Sequence, residues 1–179
     1  MGNCPWQGNK YVQEGPDYPA TWVSWHDTVE FCRKLSEQEG VEYRLPTEAQ
    51  WEYTCRAGTT TAYSFGDDVS KLGQHAWYNK NTSDIGETYA HCVGQKLPNP
   101  WGLYDMHGNI YEWCQDWNAP YGNEKAISDP MGPIQGVFRE LRGGSFHLFS
   151  LYARSAYRID SAPAVRDSNF GFRPARTYP

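Results

Sequence analysis

The first third of the chain carries a helical period, and the remainder does not. From Ser24 onward apolar side chains recur at Trp25, Val29, Cys32 and Leu35, in steps of four, three and three. That spacing places them on one face of an α-helix. Ser24 supplies an N-cap oxygen, Asp27 lies at the third helical position to close a capping box, and Gly40 ends the helix. Ser36 falls just off the stripe, as a polar face requires. A second helix opens at Thr47, with Gln50 reaching back to the cap. Trp51 and Cys55, four apart, share its buried face, and Gly58 closes it.

After Gly58 no helical period is visible. Short aromatic and polar segments alternate with Gly, Asn, Asp and Pro. Leu141-Arg142 and residues 170–173 read as short strands, and residues 59–100 read as loop. A long irregular segment in a compact unit is usually functional, or is held by something other than regular backbone pairing. By length the 179 residues form one domain with a sizeable core.

Composition narrows the function classes. The net charge is −5 and Lys and Arg are scattered, which argues against a nucleic-acid partner. No apolar run approaches a membrane span. The opening MGNCPWQGNK lacks a signal-peptide core, so a cytoplasmic location is expected. Cys4, Cys32, Cys55, Cys92 and Cys114 are odd in number and lack CxxC or zinc spacing, which predicts mostly buried, reduced thiols. His26, His75, His91, His107 and His147 show no metal-site spacing, so ordinary histidines are expected over a two-His-one-carboxylate iron site. Aromatic residues are 16% of the chain, with eight Trp and thirteen Tyr, more than a core alone requires. Tyr and Trp also furnish rigid recognition surfaces.

Three ordered blocks are specific. They are YRLPTEAQWEY at 43–53 followed by Arg56-Ala57-Gly58, NPWGLYDMHGNIYEW at 99–113, and RGGSF at 142–146 with Gly171-Phe172-Arg173. Together they resemble the formylglycine-generating enzyme family, the sulfatase-modifying-factor domain, over nearly the whole chain. The resemblance implies an α+β, C-type-lectin-like fold with two helices, short strands and little other regular structure. It also implies that a piece of the family domain before Met1 is absent.

The enzymes of that family oxidise a substrate cysteine to formylglycine, using two copper-binding cysteines after the Gly-Gly-Ser block. Soft thiolates suit Cu(I). Here those positions fall on Leu148 and on Ala153 or Ser150, and no cysteine follows Cys114. The resemblance therefore extends to the scaffold and not to copper or to formylglycine-generating activity. Tyr111 stands where the family has Trp, a second departure in the same pocket. The family also binds calcium in the second block, which carries over to Asp105, the carbonyls of Gly108 and Ile110, and Glu112. Two carboxylates folded by a glycine turn offer hard oxygens to an ion that takes six to eight. The competing reading is an Asx turn at Asp105 and a buried ion pair at Glu112.

The cysteine-free tail admits three readings. The first is a non-catalytic domain that binds a protein or small molecule. The family fold also serves the variable proteins of diversity-generating retroelements, whose binding face lies between the Gly-Gly-Ser and Gly-Phe-Arg blocks. In that layout Phe146, His147, Leu148, Phe149, Leu151, Tyr152, Tyr157, Ile159 and Asp160 occupy the face, and Arg142, Arg154, Arg158, Arg166 and Arg173 are scaffold posts. About half of those side chains are expected inside, because one face of a short strand is normally buried. The second reading is an oxidoreductase or sulfatase-maturation-type member acting with another domain or metal. The third is a structural or regulatory module of a longer bacterial protein such as a kinase. The first is favoured, with residues 146–168 as the binding segment.

Overall fold

A computed structural model of the chain describes residues 4–122 and 128–176. Both expected helices form: α1 spans Trp25–Glu39 and α2 spans Glu48–Arg56. Each opens on a complete capping box, Ser24 with Asp27 and Thr47 with Gln50. Each box satisfies two of the amide groups that a helix start leaves unpaired. Gly40 ends α1 in the left-handed conformation as expected. At the end of α2 that conformation falls on Ala57, one residue before Gly58.

The stripe on α1 is rotated from the one expected. Val29 is 39% exposed, while Thr28 is fully buried beside Cys32. The Thr28 hydroxyl donates to the Trp25 carbonyl at 2.7 Å, which allows a polar side chain to face the core. The segment after Gly58 is also not free of helix. A one-turn helix, α3, spans Leu72–His75, and single 3₁₀ turns occupy Val69–Lys71, Asn79–Asn81, Ser83–Ile85 and Ser150–Ala153. The α3 helix has no side-chain N-cap. Buried Leu72 anchors it against Tyr63, Ala76, Tyr78 and Ala153.

Among the described residues six strands make two small sheets. β1 (Tyr43–Arg44) pairs antiparallel with β6 (Ala175–Arg176). The larger sheet has the order β4-β3-β2-β5, with β2 at Tyr111–Trp117, β3 at Arg139–Arg142, β4 at Ile159–Ser161 and β5 at Phe170–Gly171. β2 runs antiparallel to β3 and parallel to β5. The strand expected over residues 170–173 is the shorter β5, which ends at Gly171 with Arg173 beyond it. Gly171 is required by space: a Cβ there would lie 2.4 Å from Ile110 and 2.7 Å from the Ala20 carbonyl.

The core is aromatic. Trp113, Leu141, Tyr111, Phe170, Leu45 and Cys32 form one cluster, and Trp51, Cys55, Met106 and Cys114 another. Each such side chain contributes roughly 1.5–3 kcal/mol by leaving water. The buried indoles keep their N–H groups satisfied: Trp113 donates to the Val23 carbonyl at 3.0 Å and Trp51 to Glu112 at 2.7 Å. All five thiols are free, and Cys32, Cys55 and Cys114 are buried. Among the described residues no helix is long and apolar enough to cross a membrane.

Candidate functional site

The tail is folded onto the scaffold by a pair of glycines. Gly143 and Gly144 follow β3 with φ of 101° and 78°. A Cβ on Gly144 would meet the Tyr152 carbonyl at 2.8 Å, so the returning chain can pass this close only over glycine. From beneath, Arg142 is fully buried and donates to the carbonyls of Tyr157 at 2.8 Å and Ser155 at 2.7 Å. It also pairs with Glu52, and lies 3.5 Å from Glu48. Leu148 and Ser150 are held through their carbonyls, by the Asn79 amide at 3.0 Å and the Tyr63 hydroxyl at 2.9 Å.

His107 fastens the same turn from the other side. It is buried between Ser64 and the Ala153 carbonyl. With Nδ1 2.9 Å from that carbonyl, Nδ1 carries the proton, and Nε2 accepts from the Ser64 amide at 3.0 Å. Burial lowers its pKa to about 4, so the ring is neutral at physiological pH.

On this pinned backbone the nine expected face residues divide. Phe149 is 65% exposed and Leu151 52%, and His147 and Asp160 are also exposed. Leu148, Tyr152, Tyr157 and Ile159 are half-buried; Tyr152 packs edge-on to Tyr157 with centroids 5.0 Å apart. Phe146 is a correction. It is buried with Ala90 and Ile110, its amide donates to the Asn109 carbonyl at 2.9 Å, and it belongs to the core rather than the face. Residues 142–146 run as one buried stretch, and the chain reaches the surface only at His147. Ala153, one of the two positions of the family's cysteines, is buried, and Leu148 packs against the main core. Tyr111 is buried edge-on to Phe170 at 6.2 Å.

The second expected site lies across β2. Asp105, Asn109, Ile110, Glu112 and Arg173 line one cleft of about 400 Å³. Asp105 is buried with φ of 60°; its Oδ2 accepts from the Gly94 amide at 2.7 Å, and its buried Oδ1 has no donor. Burial raises its pKa, and Glu112 adds to that, against the Gly94 hydrogen bond and the Arg173 charge. Glu112 is paired: Arg173 grips it with Nη2 on Oε1 at 2.7 Å and Nε on Oε2 at 3.0 Å, and Trp51 donates to Oε2. The Gly108 carbonyl accepts from the Ile110 amide at 2.9 Å within a tight turn. The donor set fits a hard cation in one respect, the orphaned buried carboxylate oxygen of Asp105. Glu112 Oε1 accepts a single hydrogen bond and keeps further acceptor capacity.

The sequence reading missed a buried carboxylate-guanidinium network. Arg158 binds Glu48 through Nε at 2.5 Å and Nη2 at 2.7 Å, and Nη2 also reaches Glu140. Glu140 is fully buried with Oε2 lacking a donor, and its carboxyl is raised to about 7, chiefly by burial. The available signal was that Glu48 and Glu52, four apart on α2, share a face with Trp51 nearby.

The fold and the glycine-pinned tail define a C-type-lectin-like scaffold of the formylglycine-generating type. The chain matches the sulfatase-modifying factor enzyme 1-like domain over residues 2–178, and it belongs to that family. It is 36% identical over 172 residues to a formylglycine-generating enzyme of Streptomyces coelicolor, covering 89% of this chain and 53% of that protein. It is 35% identical over 166 residues to a serine/threonine-protein kinase of Chlamydia pneumoniae, covering 89% of this chain and 24% of the kinase. The chain thus spans about half the length of the formylglycine-generating enzymes it matches. Among solved structures, Treponema denticola variable protein 1 superposes with a TM-score of 0.87 at 31% identity, covering 97% of this chain and 77% of that one. PvdO from Pseudomonas aeruginosa gives 0.83 at 32% identity, covering 93% of this chain and 64% of that one.

Proposed function

We propose that this chain is a non-catalytic binding domain that presents the outward side chains of residues 146–168 on a fixed scaffold. The observation that carries the reading is the 3₁₀ turn at Ser150–Ala153. Its backbone is held from below by Tyr63 and His107, while Phe149 and Leu151 project from it with most of their apolar surface in water. Large apolar side chains held out on rigid backbone lose little entropy on binding, which is what a recognition surface requires. The absence of any cysteine beyond Cys114 separates the chain from the family's copper chemistry. The similarity to a variable protein of the same fold supports a binding role.

The ligand is a protein segment or small molecule, and a displayed random-peptide library is a suitable probe. Peptides enriched on the wild-type domain are expected to lose binding to a Phe149→Ser, Leu151→Ser variant. Enriched peptides that bind that variant equally well would remove the tail from the proposal. Oxygen-dependent conversion of a cysteine-containing peptide to the aldehyde would replace the proposal with the maturation-type alternative.

We also propose that Asp105 and Glu112 hold a calcium ion with the carbonyls of Gly108 and Ile110. The support is the buried, donorless Oδ1 of Asp105. The ion would have a structural role, neutralising charge where β2 begins. Equal melting temperatures in calcium and in chelator would refute it.

A further inference from the structure

A second cleft lies at the far end of β2, away from the tail turn and from the Asp105 cleft. A cavity of about 570 Å³ opens between the start of α2, the end of β2, residues 119–122 and residues 130–133. That volume is in the range of small-molecule sites, roughly 300–1,000 Å³. Pro120, Tyr121, Met131 and Pro133 give it apolar walls, and its charged groups are Glu48, Asp116 and Arg158.

Those charges are not equivalent. The Arg158 guanidinium is engaged with Glu48, Glu140 and, at 3.1 Å, the Ala119 carbonyl, and its face is covered by the Tyr121 ring at 4.1 Å. It has little left with which to attract an anion. Glu48 is held by two nitrogens of Arg158 and lies 3.5 Å from Arg142. Asp116 differs. It is only 5% exposed, and its Oδ2 accepts from the Glu48 amide at 2.7 Å. Among the described residues it has no ion pair, and no donor from another residue reaches Oδ1. Burial raises its pKa and the Glu48 charge adds to the shift, against the Glu48 amide hydrogen bond and the more distant Arg139 charge. Gly132 passes close over it: a Cβ there would lie 3.2 Å from Oδ1, so a bare backbone leaves the carboxylate its remaining space.

We infer that this cavity binds a small organic cation, a protonated amine on a short apolar stem, with the ammonium on the Asp116 carboxylate and the stem against Tyr121, Met131 and Pro133. Among the described residues of its lining an anion meets no free cation. A metal ion finds one carboxylate there free of a guanidinium, that of Asp116. An ammonium supplies the close ion-pair partner that buried Asp116 does not have among the described residues, and the apolar walls strengthen that attraction by excluding water.

Calorimetry with n-pentylamine, n-pentanol and pentanoate tests the inference on the wild type, Asp116→Asn and Met131→Trp. Saturable binding of the amine, at least tenfold tighter than the alcohol and without measurable binding of the acid, is the expected result. Asp116→Asn should weaken the amine tenfold or more, with the amide oxygen still accepting from the Glu48 N–H. Met131 is 63% exposed, so Met131→Trp narrows the mouth without touching the core, and should block binding even if the Asn variant folds poorly. Equal affinity for amine and alcohol, amine binding untouched by both substitutions, or no saturable amine binding overturns the inference.

Discussion

Glu112 and Asp116 lie on the same strand, four residues apart, and both are buried, yet they sit in opposite electrostatic circumstances. Glu112 is gripped by two nitrogens of Arg173 and by the Trp51 indole. Asp116 has one hydrogen bond from another residue, the Glu48 amide, and no ion pair among the described residues. The lesson is that a buried carboxylate in this fold is either part of the scaffold or left with capacity for something else. Pairing, and not burial, tells the two apart.

The comparison breaks most visibly at Glu112. Glu112→Gln leaves the half-buried Arg173 guanidinium without its counter-charge, which costs on the order of 3 kcal/mol, the low end for a buried pair. Urea unfolding should show a large drop in midpoint, whereas Asp116→Asn should shift stability by less than about 1 kcal/mol, because the hydrogen bond to Oδ2 survives. Comparable losses in both would erase the distinction.

The next effect concerns pH. His107 has a folded pKa of about 4 against 6.5 when free. Between those values the unfolded chain binds the extra proton, so this residue's contribution to stability falls as pH drops from 6.5 towards 4, by up to roughly 3 kcal/mol at 1.36 kcal/mol per unit. The Glu140 carboxyl, raised to about 7, acts with the opposite sign, losing stability as pH rises through its folded value. Proton NMR separates the two: the His107 ring signals should not move between pH 8 and 5. A midpoint near 6.5 would show that the ring is not held as described.

Calcium should produce a smaller change. An ion at one hundred times its Kd stabilises by about 2.7 kcal/mol, a rise of several degrees in Tm. Asp105→Asn removes the buried charge, so it should abolish the calcium response and be at least as stable as wild type in chelator. A calcium response that survives this substitution would place the ion elsewhere.

The helices were legible because their caps are local: Ser24 with Asp27 and Thr47 with Gln50 lie three residues apart. Hydropathy favours Val29 over Thr28 for the α1 stripe, and only the hydrogen bond to the Trp25 carbonyl makes Thr28 a core residue. The short α3 helix left no signal, having no side-chain cap and a single turn. The motif blocks placed the tail on its scaffold, but Phe146 could not be told from Phe149 by residue type. They separate where the buried stretch at 142–146 ends, with Phe146 against Ala90 and Ile110 and Phe149 in water. The Arg158–Glu48 pair joins residues 110 apart, so the spacing of Glu48 and Glu52 marks its acidic half while nothing local points to Arg158.

The smallest expected change in stability accompanies the most direct test of the tail. Phe149→Ser with Leu151→Ser alters two exposed positions, where substitutions usually stay within about 0.5 kcal/mol each. The decisive measurement pairs the melting temperature of that double variant with its affinity for peptides selected on the wild type. The binding-domain account predicts an unchanged melt and at least tenfold weaker binding. An unchanged melt with undiminished binding, or a collapsed melt showing that these side chains serve the fold, would contradict it.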